Sequence, residues 1–244
     1  MKILSIGNSF SQDSHKWLHK LADKNNYDLQ TVNLFIGGCS LERHWNSYVN
    51  NIADYDLELN GGPAIRKITL TEALSMDKYD VVTLQQASGH SGKPQSYVPY
   101  ITELAELVHR TQPQAHLMFI KTWAYEIDST HSAFNSYDNN QEEMYRRICD
   151  CNKLVEKMTE AKIIPIGDVI QTLRHEVPEF DYSNGGLSLC RDGFHLSMNY
   201  GRYAAAATMY MTITGNKINV TEFENFDLNL MNKIVAVVER VLAE

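Results

Sequence analysis

Five short apolar runs alternate along the chain with segments of helical periodicity. The runs are rich in β-forming residues and bounded by Gly, Asn, Asp or Pro: KILSI (2–6), LQTVNLFI (29–36), VVTLQ (81–85), HLMFIK (116–121) and KIIPI (162–166). Apolar residues at helical spacing predict helices over 11–24, 97–110, 141–161, 200–214 and 226–242. This alternation predicts an α/β fold, a three-layer α/β/α sandwich around a five-stranded parallel sheet.

Length and charge restrict the domain count and the partners. The 244 residues, 43% of them hydrophobic, contain no repeat or linker and predict a single domain over 1–244. A net charge of -8 without a basic stripe argues against nucleic acid or a membrane surface as a partner. No apolar run approaches the ~20 residues that span a bilayer. Met1 leads into strand-like sequence without a signal-peptide pattern, so we expect a cytoplasmic location.

The cysteines and histidines lack the spacing of common metal sites. Cys39, Cys149, Cys151 and Cys190 form no C-x-x-C pair, and no H-E-x-x-H occurs. Within a helix, the C-x-C of Cys149 and Cys151 places its side chains roughly 200° apart. We therefore expect four reduced thiols, no metal and no cofactor.

Two polar segments, 45–67 and 123–140, are predicted as long loops near the carboxyl edge of the sheet, where ligands bind in open α/β folds. Both are rich in aromatic residues, which would either stack on a sugar or pack the loops onto the domain. The aromatic residues are Trp45, Tyr48, Trp123, Tyr125, Phe134 and Tyr137.

Ser9 directly follows the first strand and begins a helical pattern, in the stretch SIGNSFSQDS. A serine there can attack with its hydroxyl while its backbone N–H faces an oxyanion, or it can simply cap the helix. Near the other end, LCRDGFHLSMNYG separates Asp192 from His195 by two residues. A turn can hold this carboxylate against the imidazole, as a serine hydrolase requires, or cap the following helix.

Small and amide residues follow the second and third strands. Gly37 or Gly38 can bring a backbone N–H close to a ligand. Gln85 and Gln86 end a buried strand and point to opposite faces, so one of them can donate a hydrogen bond at the site or both are ordinary loop residues.

Taken in order, these blocks resemble the SGNH, or GDSL-like, hydrolase superfamily, in a bacterial branch similar to carbohydrate acetylesterases. The blocks are GNSF, GGCS, LQQAS and DGFH, and they span most of the chain. The resemblance implies a flavodoxin-like strand order, 2-1-3-4-5, and a Ser-His-Asp triad that cleaves a small acyl ester, with acetylated sugars the expected substrates. It implies Ser9, His195 and Asp192 as the triad. The first block reads GNSF where the family has GDSL, and the third has Gln where the family has Asn.

The same resemblance implies an oxyanion hole made by the N–H groups of Ser9 and Gly38 and the amide of Gln86, with Gln85 as the alternative donor. Four residues are expected to contact substrate: Asn8, Gln85, His90 and Trp123.

Other functions stay open at this point. A non-catalytic carbohydrate-binding member of the fold would need no triad, and a lipase or thioesterase would use the same triad on a longer acyl chain. Metal-dependent phosphoryl chemistry would need carboxylates such as Asp13, Asp80 and Asp168, although these are typical of helix and strand starts. The sequence does not determine an oligomeric state.

Overall fold

The structure is a computed structural model that describes residues 1–244. Seven strands form one sheet in the order β4-β3-β2-β1-β5-β6-β7. The strands are β1 (Lys2–Gly7), β2 (Gln30–Phe35), β3 (Tyr55–Leu59), β4 (Ala64–Ile68), β5 (Val81–Leu84), β6 (His116–Ile120) and β7 (Lys162–Ile164). The helices are α1 (Ser9–His15), α2 (Leu18–Lys24), α3 (Leu41–Val49), α4 (Leu70–Met76), α5 (Tyr100–Thr111), α6 (Gln141–Thr159), α7 (Ile166–Glu176), α8 (Tyr200–Thr214) and α9 (Leu228–Val241).

The sheet differs from the predicted one in strand number, strand direction and overall order. The five predicted strands are present side by side and parallel, as β2, β1, β5, β6 and β7. Beyond β2, the strands β3 and β4 add an antiparallel hairpin that begins inside the segment that we predict as a loop, 45–67, and ends one residue after it. The prediction missed β4 because four of its five residues are exposed and it therefore lacks a buried alternation. Its charged residues Arg66 and Lys67 suit an edge strand, since they discourage pairing with another chain.

The predicted helices are present with shifted ends, except that α8 spans the predicted 200–214. The first predicted helix is divided into α1 and α2 at Lys16–Trp17. Helices α3, α4 and α7 were not predicted; they have 9, 7 and 11 residues, so their apolar stripes are short.

Both faces of the sheet are covered, which explains why its central strands read as continuous apolar runs. Along β1, Ile3 packs with α1, α2, α7, α8 and α9, whereas Leu4 and Ile6 pack with α3, α4 and α5. Helix α6 contributes to both layers of the core. None of the helices combines the length and apolarity needed to cross a membrane.

The aromatic residues of the two predicted loops mostly pack inward. Trp123, Tyr125, Phe134 and Tyr137 are buried, and the last two lie in a 3-10 helix, Ser132–Tyr137. Trp45 and Tyr48 lie on α3, partly buried against each other. The structure thus favours loop packing for these aromatic side chains.

The carboxyl ends of three adjacent strands meet at one edge of the sheet. Gly7 is paired with Phe35 in the register of β1 and β2, and Ile6 with Leu84 in that of β1 and β5. The chain therefore leaves the sheet at neighbouring points after β1, β2 and β5. This edge collects the residues that the sequence marks for chemistry.

Candidate active site

Three polar side chains form a hydrogen-bonded chain at this edge. The Ser9 Oγ atom lies 2.9 Å from His195 Nε2, and His195 Nδ1 lies 2.7 Å from Asp192 Oδ2. Both contacts are satisfied when the Ser9 hydroxyl donates to Nε2 and the Nδ1–H group donates to the carboxylate. Ser9 and His195 are 186 positions apart in the sequence. Their contact is therefore a product of the tertiary fold.

The turn before α8 holds the carboxylate and the imidazole together. Asp192 Oδ1 accepts hydrogen bonds from the backbone N–H groups of His195 (2.8 Å) and Phe194 (3.3 Å). Gly193 has φ +84°, and a Cβ atom there would lie 3.0 Å from Ser129 Cα, so only glycine fits easily. Partial burial raises the pKa of Asp192, but hydrogen bonds from the ring and backbone of His195 outweigh it and hold the pKa below its usual range.

Asn8 positions Ser9 at the start of α1. Its Oδ1 accepts from the Phe10 N–H at 3.0 Å, which caps the helix, and its Nδ2 donates to the Cys39 carbonyl at 2.9 Å. Gln85 Nε2 donates to Asn8 Oδ1 at 2.6 Å. Asn8 and Gln85, predicted to contact substrate, are both buried. Asn8 ties the Ser9 turn to the Gly38 turn, and Gln85 ties it to the end of β5.

The backbone N–H groups of Ser9 and Gly38 make no hydrogen bond within the protein. The Ser9 N–H belongs to the first helical residue, where no intrahelical acceptor exists. Gly38 has φ +62°, and no atom lies within 4 Å of the position of a Cβ there. Two unpaired N–H groups on adjoining turns are suited to hold a negatively charged oxygen.

Gln86 differs from its predicted role. Its Nε2 donates to the carbonyl and the hydroxyl of Ser96, at 2.9 and 3.1 Å, and its Oε1 accepts from the N–H groups of Leu41 and Ala87. Both amide hydrogens are therefore used, and the side chain is fully buried. In this arrangement Gln86 anchors the loop after β5 and leaves no N–H for an oxyanion.

Trp123 and His90, both predicted to contact substrate, lie in different environments. Trp123 is fully buried, stacks on Phe10 with ring centroids 4.0 Å apart, and donates its Nε1–H to the Phe194 carbonyl at 2.7 Å. The prediction that it contacts substrate is wrong, because neither face of its ring is open. His90 is exposed on the loop after β5, where burial of part of its ring and the charge of Lys93 lower its pKa. No hydrogen bond joins its ring to Ser9 or His195.

Cleft size does not mark this site. Two clefts of about 470 and 560 Å³ lie at the amino ends of β5 to β7 and beside the end of α9. A cavity of about 210 Å³ lies behind Asp192 and is bordered by Tyr182, Ser188 and Gly193. We assign the site by the convergence of Ser9, His195 and Asp192 and not by volume.

No group of three or more His, Cys, Asp or Glu side chains is arranged around a metal position, and the four cysteines are free.

A family profile described as "Domain of unknown function (DUF4886)" matches residues 2–238. A DUF4886 family protein from Bacteroides uniformis, known from its crystal structure, is 33% identical in sequence to this chain. The two structures superpose with a TM-score of 0.91 over 100% of this chain and 95% of that one. This chain belongs to the DUF4886 family. No curated protein sequence matches it.

More distant structural neighbours share the fold of this chain. A protein from Slackia heliotrinireducens assigned to the SGNH hydrolases is 20% identical, with a TM-score of 0.58 over 87% of this chain and 98% of that one. The acetyl xylan esterase AlAXEase is 13% identical in sequence, with a TM-score of 0.58 over 87% of this chain and 100% of that one. At such identities the likeness shows the fold alone, and that fold is the one of the SGNH hydrolases.

One group of residues near this site is not predicted from the sequence. Asp13, considered above as a metal ligand or a helix-start residue, is fully buried one turn after Ser9. Its carboxylate accepts from Arg191 Nη1 (2.9 Å), Arg202 Nε (2.8 Å) and the Leu196 N–H (2.8 Å). We name Asp13, Arg191 and Arg202 the arginine clamp. A buried carboxylate needs charged or hydrogen-bonding partners. The acidic residue one helical turn after Ser9 was therefore the signal in the sequence that could have indicated a buried ion pair.

Proposed function

We propose that this protein is a carboxylic ester hydrolase of the SGNH type, which removes a small acyl group, above all acetyl, from a carbohydrate ester. The chain from Ser9 through His195 to Asp192 carries the proposal, because these groups are the nucleophile, base and orienting carboxylate of acyl transfer. The fold shared with an acetyl xylan esterase supports the reaction class.

In the first half of the reaction, Ser9 Oγ attacks the ester carbonyl while its proton passes to His195 Nε2. Asp192 stabilises the imidazolium that forms through the Nδ1 contact. The negative charge on the former carbonyl oxygen is held by the N–H groups of Ser9 and Gly38. When the tetrahedral intermediate collapses, the bond to the alcohol oxygen breaks and His195 gives its proton to that oxygen.

In the second half, His195 takes a proton from water as the water oxygen attacks the acyl-serine. Collapse of this intermediate breaks the bond to Ser9 Oγ, which recovers its proton from His195, and the free acid leaves. Hydrolysis consumes one water and needs no other reactant. The preference for a short acyl group is supported by the segment 123–140, which packs its aromatic side chains inward and forms no apolar lid.

The test is hydrolysis of p-nitrophenyl acetate, butyrate and octanoate by the wild type, Ser9→Ala and His195→Ala. We expect acetate to be the best substrate and either variant to lose on the order of 10⁴- to 10⁶-fold in kcat. Ser75→Ala, which changes an exposed serine on α4, is the matched control and should keep full activity.

A fluorophosphonate probe separates an esterase from a non-catalytic binding protein. It should label the wild type on Ser9 and leave Ser9→Ala unlabelled. Wild-type turnover in Ser9→Ala would remove Ser9 as the nucleophile, and a preference for octanoate would favour a lipase or thioesterase.

A further inference from the structure

A row of aromatic rings leads away from His195. The Phe194 ring centroid lies 4.0 Å from that of His195, and the His131 ring lies 4.7 Å from that of Phe194. Tyr125 packs against both rings, with its centroid 4.8 Å from that of His131 and 5.7 Å from that of Phe194. Tyr125 is buried, whereas Phe194 and His131 are only partly buried. We name Phe194 and His131 the aromatic ledge.

His131 presents a hydrogen-bond donor on this ledge. Its Nδ1 accepts from the Ala133 N–H at 3.1 Å, so the proton of the neutral ring is on Nε2. Nε2 has no partner within the protein and is not enclosed by it. Burial and the nearby charge of His195 lower the pKa of His131, which keeps the ring neutral at pH 7.

The chemistry of acyl transfer says which part of the ester meets this ledge. His195 must protonate the leaving oxygen, so that oxygen lies within hydrogen-bond distance of Nε2. The carbonyl oxygen, in contrast, is bound by the N–H groups of Ser9 and Gly38. Phe194 and His131 are partly exposed rings that adjoin His195, and they are therefore the candidates to meet the group attached to the leaving oxygen.

We propose that the aromatic ledge binds the alcohol part of the ester and is built for a hydroxylated ring such as a pyranose. The proposal rests on the proposed esterase function and adds the site that recognises the substrate. The partly open Phe194 ring covers the C–H groups of the sugar, and His131 Nε2–H donates to a ring hydroxyl. A polar site of this kind discriminates against alcohols that lack the hydroxyl, because its donor would then be left unpaired.

The test compares two acetate esters, phenyl acetate and a mono-O-acetylated methyl xylopyranoside. His131→Asn is the decisive variant, since Asn can still accept from the Ala133 N–H but ends short of the Nε2 position. We expect kcat/KM on the pyranoside to fall about three- to tenfold, mainly through KM, and to fall more than kcat/KM on phenyl acetate, whose ring has no hydroxyl to accept from His131. Phe194→Leu, which keeps an apolar side chain beside His195, should also raise KM for the pyranoside. His109→Ala, at an exposed histidine on α5, is the control and should match the wild type on both esters.

Each outcome decides the matter. Equal losses on both esters in His131→Asn would show a structural role for His131 and overturn the proposal. An unchanged KM for the pyranoside would overturn it as well. A wild type that hydrolyses neither ester would overturn the esterase function and, with it, the ledge as an alcohol site. A loss on the pyranoside that exceeds the loss on phenyl acetate at least threefold would establish it.

Discussion

At the scale of single residues, Asp192 determines which nitrogen of His195 faces Ser9. Its carboxylate accepts from Nδ1–H at 2.7 Å and leaves Nε2 as the acceptor for the Ser9 hydroxyl. In Asp192→Asn, the amide N–H₂ can face Nδ1 and favour the tautomer that carries its proton on Nε2, which cannot accept from Ser9. We expect kcat on p-nitrophenyl acetate to fall about 10³- to 10⁴-fold with little change in the melting temperature.

The matched control for this change is Asp138→Asn. Asp138 is exposed and has φ +58°, a backbone conformation that asparagine adopts readily. Its activity should equal that of the wild type. An Asp192→Asn variant that keeps kcat within twofold would contradict the assigned role of the carboxylate.

At the scale of structural elements, the arginine clamp joins α1, which carries Ser9, to the loop that carries His195. Asp13 lies on α1, and it binds Arg191 and the Leu196 N–H on either side of His195. Asp13→Asn removes the charge that compensates two arginines, one of them buried. We expect about 3 kcal/mol of destabilisation, and a lower kcat per folded molecule because the two elements are no longer held together.

Urea unfolding measures the stability of Asp13→Asn, and kcat is taken at a temperature where the protein is folded. Asp150→Asn is the control, because Asp150 pairs with Arg146 on the exposed surface of α6, where solvent screens the pair and its loss should leave stability nearly unchanged. If Asp13→Asn were as stable and as active as Asp150→Asn, the clamp would have no positioning role.

At the scale of the whole molecule, buried histidines make the stability depend on pH. Burial lowers the pKa of His15 to about 4 and that of His44 to about 3. Between pH 6.5 and about pH 4 the unfolded chain therefore binds more protons than the native protein. Stability is present above pH 6.5 and falls as the pH is lowered, by up to about 1.4 kcal/mol per pH unit for each histidine.

Urea unfolding at pH 7, 5.5 and 4.5 checks this dependence. The His15 Nε2 atom contacts Ser5 Oγ at 2.6 Å within the core. His15→Asn cannot take up a proton, so its unfolding free energy should fall less steeply below pH 6.5, even if it is lower at pH 7. His109→Asn, at an exposed position, should keep the wild-type slope. Equal slopes for all three proteins would show that His15 is not the titrating group.

Features that depend on neighbours along the chain are predictable from the amino-acid sequence. The five parallel strands were predictable because strands buried on both faces are continuous apolar runs. The contact between Asp192 and His195 was predictable because one turn joins them, with Gly193 at its centre. Ser9 could be placed at the sheet edge because it follows the first strand directly.

Contacts between groups that are distant in sequence depend on the three-dimensional fold. In the folded chain His195 contacts Ser9, and both amide hydrogens of Gln86 bind Ser96. Trp123 is buried against Phe10, and Asp13 pairs with two arginines. The fold also adds the hairpin of β3 and β4 at the sheet edge. A periodic pattern records which face of an element is buried, but the partner of a buried polar group is set by topology, because that partner comes from a part of the chain far away in sequence.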